Sequence, residues 1–136
     1  MQQLEVINIL KKDLNFTDQS IEKLKEFSKL VLKENKNYNL ISKSTENHIW
    51  LRHVLDSAQL VKFIDFSCSS LADLGSGAGF PGLVVEIFNK NKAFHVKLFE
   101  KSPVKRQFLL KVIKELGLNA EVLGDIRDEK LDTDII

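Results

Sequence analysis

The chain has 136 residues, of which 43% are hydrophobic and 29% charged, and its formal net charge is +1 at pH 7. This length suits one domain with a substantial core, and the small net charge excludes a global field that attracts nucleic acid, so any basic surface must be local. The single cysteine, Cys68, cannot form an internal disulfide and favours a reducing compartment. With no signal segment and no apolar stretch of about 18 residues, we expect a cytoplasmic protein without a membrane partner.

Helical patterns fill the first part of the chain. The first covers residues 3–13, and the second follows an N-cap at Thr17 and continues to about Glu34, because its apolar residues recur at helical spacing. A third helix is predicted from Ser44 or Thr45 to about Phe63, followed by a linker. We therefore predict an N-terminal helical cap over residues 1–64.

Strand and helix patterns then alternate. Strands are predicted over residues 70–74, 93–99 and 120–123, and helices over 82–89 and 103–115. This βαβαβ order indicates an α/β fold with a parallel sheet. Residues 134–136 (Asp-Ile-Ile) are typical of the start of a fourth strand. We predict that residues 65–136 form an α/β region of about four strands, which makes one structural domain with the cap.

The most informative segment joins the first strand to the next helix. Residues 71–82 read Leu-Ala-Asp-Leu-Gly-Ser-Gly-Ala-Gly-Phe-Pro-Gly. Glycines allow sharp turns and close approach to a ligand, so Gly75 and Gly77 are candidate cofactor contacts at a helix N-terminus. Phe80 occupies the position of the third glycine in a dinucleotide fingerprint, and the Gly-Lys-Ser/Thr of a phosphate-binding loop is missing, which argues against NAD and nucleoside triphosphates.

The remaining pattern, Asp-x-Gly-x-Gly-x-Gly, resembles motif I of Rossmann-type methyltransferases that use S-adenosylmethionine. This cofactor has no pyrophosphate and carries a cationic sulfonium and ammonium, so the carboxylate of Asp73 can lie near positive charge. The alternative is a glycine-rich turn that binds nothing.

Two later segments are expected at the same sheet edge. Glu100 ends the second strand, 25 residues after Gly75, where a carboxylate can accept both ribose hydroxyls; the alternative is a solvent-exposed strand end. Residues 125–129 follow the third strand, and Ile126 could pack against an adenine ring; the alternative is a charged surface turn.

Other polar groups have both a structural and a functional interpretation. His53 and Asp56 share one helical face, and such a pair more often links helices than binds a metal, so we expect no metal site. A local basic strip is either a solvated helix face or a contact with RNA phosphates; it comprises Lys101, Lys105, Arg106 and Lys111.

Three elements together resemble one known family. In order, they are Asn39-Leu40-Ile41-Ser42, Trp50-Leu51-Arg52-His53-Val54-Leu55-Asp56-Ser57 and Asp73-Leu74-Gly75-Ser76-Gly77-Ala78-Gly79-Phe80-Pro81-Gly82. This combination is similar to the glucose-inhibited division protein B family, the bacterial 16S rRNA methyltransferase G. The resemblance implies a cytoplasmic enzyme that uses S-adenosylmethionine to methylate N7 of a guanine in 16S rRNA of the small ribosomal subunit, with no DNA partner.

The resemblance also implies particular cofactor contacts. They are Gly75 and Phe80 in the loop, Glu100 at the ribose, and an adenine-side pair at Ile126 and Arg127, or one residue later at Arg127 and Asp128. It assigns no catalytic residue. Because the family continues into further strands, the resemblance implies that residues 65–136 are a partial Rossmann-like cofactor-binding region with an incomplete sheet, in a C-terminally truncated chain. The alternatives are a non-catalytic remnant of this family and a Rossmann methyltransferase with another substrate.

Overall fold

The computed structural model describes residues 2–68 and 70–124. Helix α1 (Gln2–Lys12) and helix α2 (Asp18–Asn35) confirm the first two predicted helices. Thr17 is the N-cap of α2, and its side-chain oxygen accepts the backbone N–H of Ser20 at 3.1 Å. The cap satisfies one of the donors that a helix start leaves unpaired, which explains why α2 begins there.

The third helical region has the predicted extent, with helical turns from Lys43 to Phe63, but its pitch is not regular. Instead of one regular helix, the chain forms consecutive turns of different pitch: 3-10 turns at Lys43–His48, a π-helix at Trp50–Leu55, a short α3 (Asp56–Ala58) and 3-10 turns at Gln59–Phe63. At its start the Thr45 hydroxyl donates to the backbone oxygen of Ser42, and such side-chain bonds compete with regular helix. The π-helix also lets Trp50, Val54 and Leu55 be buried together.

The second half is a parallel α/β unit. Its elements are β1 (Ser70–Leu74), α4 (Gly82–Phe88), β2 (His95–Phe99), α5 (Pro103–Leu116) and β3 (Ala120–Leu123). Within the described residues the sheet has the order β1-β2-β3, with both pairs parallel. The α/β fold is confirmed, with β2 starting two residues later than predicted. The predicted fourth strand at residues 134–136 lies outside the described residues.

One buried apolar cluster connects the helices to the sheet. Phe27 of α2, Val54 of the π-helix, Leu83 of α4 and Leu98 of β2 are each completely inaccessible to solvent. The Ser20 hydroxyl also donates to the backbone oxygen of Ile87 at 3.0 Å, which joins α2 to α4. The predicted boundary between the helical cap and the second region, at residues 64 and 65, stays a prediction.

The sheet presents its carboxyl ends at one edge. Because β1 and β2 are parallel, Leu74 lies beside Phe99, and the loops after both strands leave the sheet together. Such an edge is where open α/β sheets bind ligands.

No helix in the described part of the chain is long and apolar enough to cross a membrane.

Candidate cofactor-binding site

The loop after β1, residues 75–82, is attached directly to the end of β2. The backbone N–H groups of Gly75 and Ser76 both donate to the backbone oxygen of Phe99, at 2.8 and 3.0 Å. Gly75, Gly77 and Gly79 have φ angles of 73°, 54° and 101°. These left-handed conformations disfavour side chains, so the loop requires glycine at these positions.

Gly79 and Gly82 are required by close packing. A Cβ atom on Gly79 would lie 2.6 Å from Cδ1 of Leu83. A Cβ atom on Gly82 would lie 2.7 Å from Oδ2 of Asp73 and would also overlap Cδ2 of Leu98. Gly82 therefore allows α4 to approach the sheet closely, and Gly79 leaves room for the side chain of Leu83.

Gly75 and Gly77 have a different environment. A Cβ atom built on either glycine meets no heavy atom within 4 Å. Their left-handed backbone borders open space at the carboxyl edge of the sheet, and this is the arrangement a ligand needs to approach a main chain closely.

Asp73 connects the two ends of the loop. Its Oδ2 accepts the backbone N–H of Gly82 at 3.1 Å. Burial raises the pKa of the Asp73 carboxyl above its ordinary value, and the charge of Glu100 acts in the same direction, whereas hydrogen bonds from Gly82 and Ser76 oppose the rise. A carboxylate in this position is stabilised by a nearby cation. That a bound cofactor supplies such a cation stays a prediction.

Glu100 is buried at the centre of the site, with 7% of its surface exposed, so the alternative of a solvent-exposed strand end is wrong. Oε1 accepts the backbone N–H of Gly77 at 2.8 Å, and Oε2 accepts the backbone N–H of Ser102 at 2.9 Å. Ser102 is the N-cap of α5, whose N-terminal dipole favours the negative charge. Each carboxylate oxygen keeps a further acceptor position, so ribose binding stays compatible with these bonds.

Phe80 contacts two rings from the helical cap. Its ring centroid lies 5.0 Å from that of Phe27 and 5.1 Å from that of His53, with the His53 ring stacked at 30°. The peptide bond to Pro81 is cis. Neither ring contact was predicted from the sequence, because Phe27 is marked only by its apolar spacing in α2. The predicted contact of Phe80 with a cofactor stays a prediction.

His53 is held by the start of its own helical region. Its Nε2 lies 2.9 Å from Oγ1 of Thr45. Burial lowers the pKa of His53, and the charge of Asp56 partly opposes this shift. Within residues 2–68 and 70–124, no group of three or more His, Cys, Asp or Glu side chains is arranged to hold a metal ion.

The basic strip is partly engaged in internal contacts. Arg106 donates from Nη1 to the backbone oxygens of Glu100 and Lys101 at 2.9 and 2.7 Å, so it helps fix the chain that carries Glu100. Lys111 forms an ion pair with Glu34 at 3.2 Å.

The predicted adenine-side pair, Ile126 and Arg127 or the alternative with Asp128, lies outside the described residues.

Comparison with known proteins identifies the family of the chain. The family model described as GidB, rRNA small subunit methyltransferase G, matches residues 20–136. A protein of Pelagibacter ubique named Ribosomal RNA small subunit methyltransferase G is 38% identical over 133 residues, which cover 93% of this chain and 62% of the relative. The protein of the same name from Rickettsia felis is 45% identical over 114 residues, which cover 84% of this chain and 57% of the relative.

This chain spans about three fifths of the length of the curated proteins it matches. The family match, however, extends over most of the chain and includes the whole loop from Asp73 to Gly82 and the strand that ends at Glu100. On this basis the chain belongs to the GidB family of rRNA small subunit methyltransferases G.

Proposed function

We propose that the chain binds S-adenosylmethionine at the loop of residues 75–82 and serves to methylate N7 of a guanine in 16S rRNA of the small ribosomal subunit, in the cytoplasm. The observation that carries this proposal is the open space along Gly75 and Gly77, bordered by the buried carboxylate of Glu100. Membership of the GidB family and the shared name of the relatives support the reaction and the RNA substrate.

The residues at the site fit this cofactor. In the proposed complex the ribose hydroxyls donate to the remaining acceptor positions of Glu100, which already accepts two backbone N–H groups. A positive charge on the ligand beside the half-buried Asp73 carboxylate would offset the cost of its burial. Gly75 and Gly77 let the cofactor approach the backbone, and Ile126 and Arg127 are the proposed adenine neighbours.

The chemistry places modest demands on the protein. S-adenosylmethionine supplies the electrophilic methyl group. Guanine N7 presents its own lone pair, so the chain's residues have no proton to remove and their task is to position the two reactants and exclude water. We therefore assign binding and positioning residues and no general base.

A methyl-transfer assay tests the proposal. The purified chain is incubated with S-adenosylmethionine carrying a labelled methyl group and with small ribosomal subunits from cells that lack this modification. We expect label in 16S rRNA, recovered as 7-methylguanosine after digestion, and none with subunits that are already methylated. Cofactor binding without label in 16S rRNA, or label on another base, would contradict the proposed reaction.

A further inference from the structure

A ring contact joins the helical cap to the glycine loop. His53 lies on the π-helix Trp50–Leu55, and its ring stacks on that of Phe80 with centroids 5.1 Å apart and planes at 30°. π-helices are rare and are found often at functional sites. The contact therefore links an unusual helical turn to the candidate cofactor loop.

Hydrogen bonds fix the orientation of the His53 ring. Nε2 of His53 lies 2.9 Å from Oγ1 of Thr45, which also bonds the backbone oxygen and the hydroxyl of Ser42, both at 3.0 Å. This network holds the ring at Nε2 in either tautomer that bonds Thr45. A side chain anchored at Nε2 and stacked on its face has little rotational freedom.

Phe80 is placed to transmit this constraint to the loop. It directly follows Gly79, whose φ is 101°, and it lies two residues before Gly82, whose N–H binds Asp73. Phe80 also contacts the ring of Phe27, a completely buried residue of α2. A ring fixed at this point limits the conformations available to the backbone of residues 79–82.

We propose that His53 is a positioning residue: held by Thr45, its ring fixes Phe80 and so keeps the glycine loop in the conformation that binds S-adenosylmethionine. This inference rests on the proposed function. It assigns to the helical cap a direct part in cofactor affinity, although the cap lies outside the sheet that carries the glycine loop and Glu100.

A double-mutant cycle on the full chain tests the proposal, with calorimetric titration of S-adenosylmethionine as the measurement. Aromatic pairs contribute enough that we expect His53→Ala to weaken binding about two- to tenfold. His53→Phe keeps a ring against Phe80 but cannot bond Thr45, so it should restore only part of the lost affinity. In a Phe80→Ala background, His53→Ala should cause no further loss, because its effect passes through Phe80.

The controls separate positioning from general stability. His48→Ala removes an exposed histidine of the same helical region and should leave affinity unchanged. If His53→Ala fails to fold by circular dichroism, Thr45→Val replaces it, with a smaller loss of affinity that also vanishes in the Phe80→Ala background. An unchanged affinity in His53→Ala, or an equal loss with and without Phe80, would overturn the inference while leaving the proposed function intact. A wild-type chain that does not bind S-adenosylmethionine would overturn both.

Discussion

Replacement of Glu100 by alanine separates two tasks of one carboxylate. In the absence of ligand, Glu100 accepts the backbone N–H groups of Gly77 and Ser102, and in the proposed complex it also accepts the ribose hydroxyls. Glu100→Ala should therefore lower both the free energy of unfolding and the affinity for S-adenosylmethionine.

The magnitudes follow from the hydrogen bonds that are lost. Hydrogen bonds to a charged group contribute about 1.5–3 kcal/mol, so loss of the diol acceptor should weaken cofactor binding about ten- to 150-fold. Leaving buried backbone donors unpaired costs about 1–3 kcal/mol, and because Gly77 borders open space we expect water to reach its N–H. The free energy of unfolding should therefore fall by about 1–3 kcal/mol overall.

Calorimetry and urea unfolding measure the two effects separately. Glu121→Ala is the matched control, since Glu121 is an exposed glutamate on the neighbouring strand β3 and should change neither quantity. A loss of affinity below about 0.5 kcal/mol, the lower limit for an ordinary hydrogen bond, would refute ribose binding by Glu100. An unchanged free energy of unfolding would refute its role in holding the loop.

Two further predictions concern the loop. Gly82→Ala should lower the free energy of unfolding by about 1–3 kcal/mol, because its Cβ would overlap Leu98 and Asp73. Gly124→Ala is the control and should be near neutral in urea unfolding, because a Cβ there meets nothing within 4 Å. Equal effects of the two substitutions would contradict the packing argument. Burial raises the pKa of Asp73 above its ordinary 3.8, so its protonated form persists to higher pH in the ligand-free chain, and cofactor affinity should rise with pH through that pKa and then level off. The contribution of Asp73 to folding stability has the opposite sign, since a raised pKa stabilises the folded state below pH 3.8 and this contribution is lost as the pH rises through the folded pKa. Asp73→Asn should flatten the pH dependence of affinity, as measured by calorimetry at several pH values, and an unchanged profile would show that the carboxylate does not face the cation.

Elements that depend on local pattern could be predicted from the sequence. The N-cap at Thr17, the three strands and the glycine loop each follow from residues next to one another in the chain. The extent of the third helical region could also be predicted, and its apolar residues Ile49, Val54 and Ala58 are buried as the helical periodicity requires. Its changes of pitch could not, because no local spacing marks the π-helix at Trp50–Leu55.

In the candidate site, too, some features could be predicted from the sequence and others could not. The position of Glu100 at a strand end could be predicted, since parallel strands bring their carboxyl ends to one edge. Its bonds to Gly77 and Ser102 could not, because they depend on the three-dimensional path of two loops. The contacts of Phe80 with Phe27 and His53 join residues far apart in the chain, and no spacing rule connects them.

The central claim is that the open backbone of the glycine loop is a site for S-adenosylmethionine. Gly75 and Gly117 form a matched pair, since their φ angles are 73° and 63° and a Cβ atom on either meets nothing within 4 Å. Valine at each position should therefore strain the backbone similarly, but only Gly75→Val puts a side chain in the proposed path of the ligand. In calorimetric titrations we expect Gly117→Val to bind S-adenosylmethionine like the wild type and Gly75→Val to show no binding. Equal affinity of the two variants would contradict the assignment of this loop as the cofactor site.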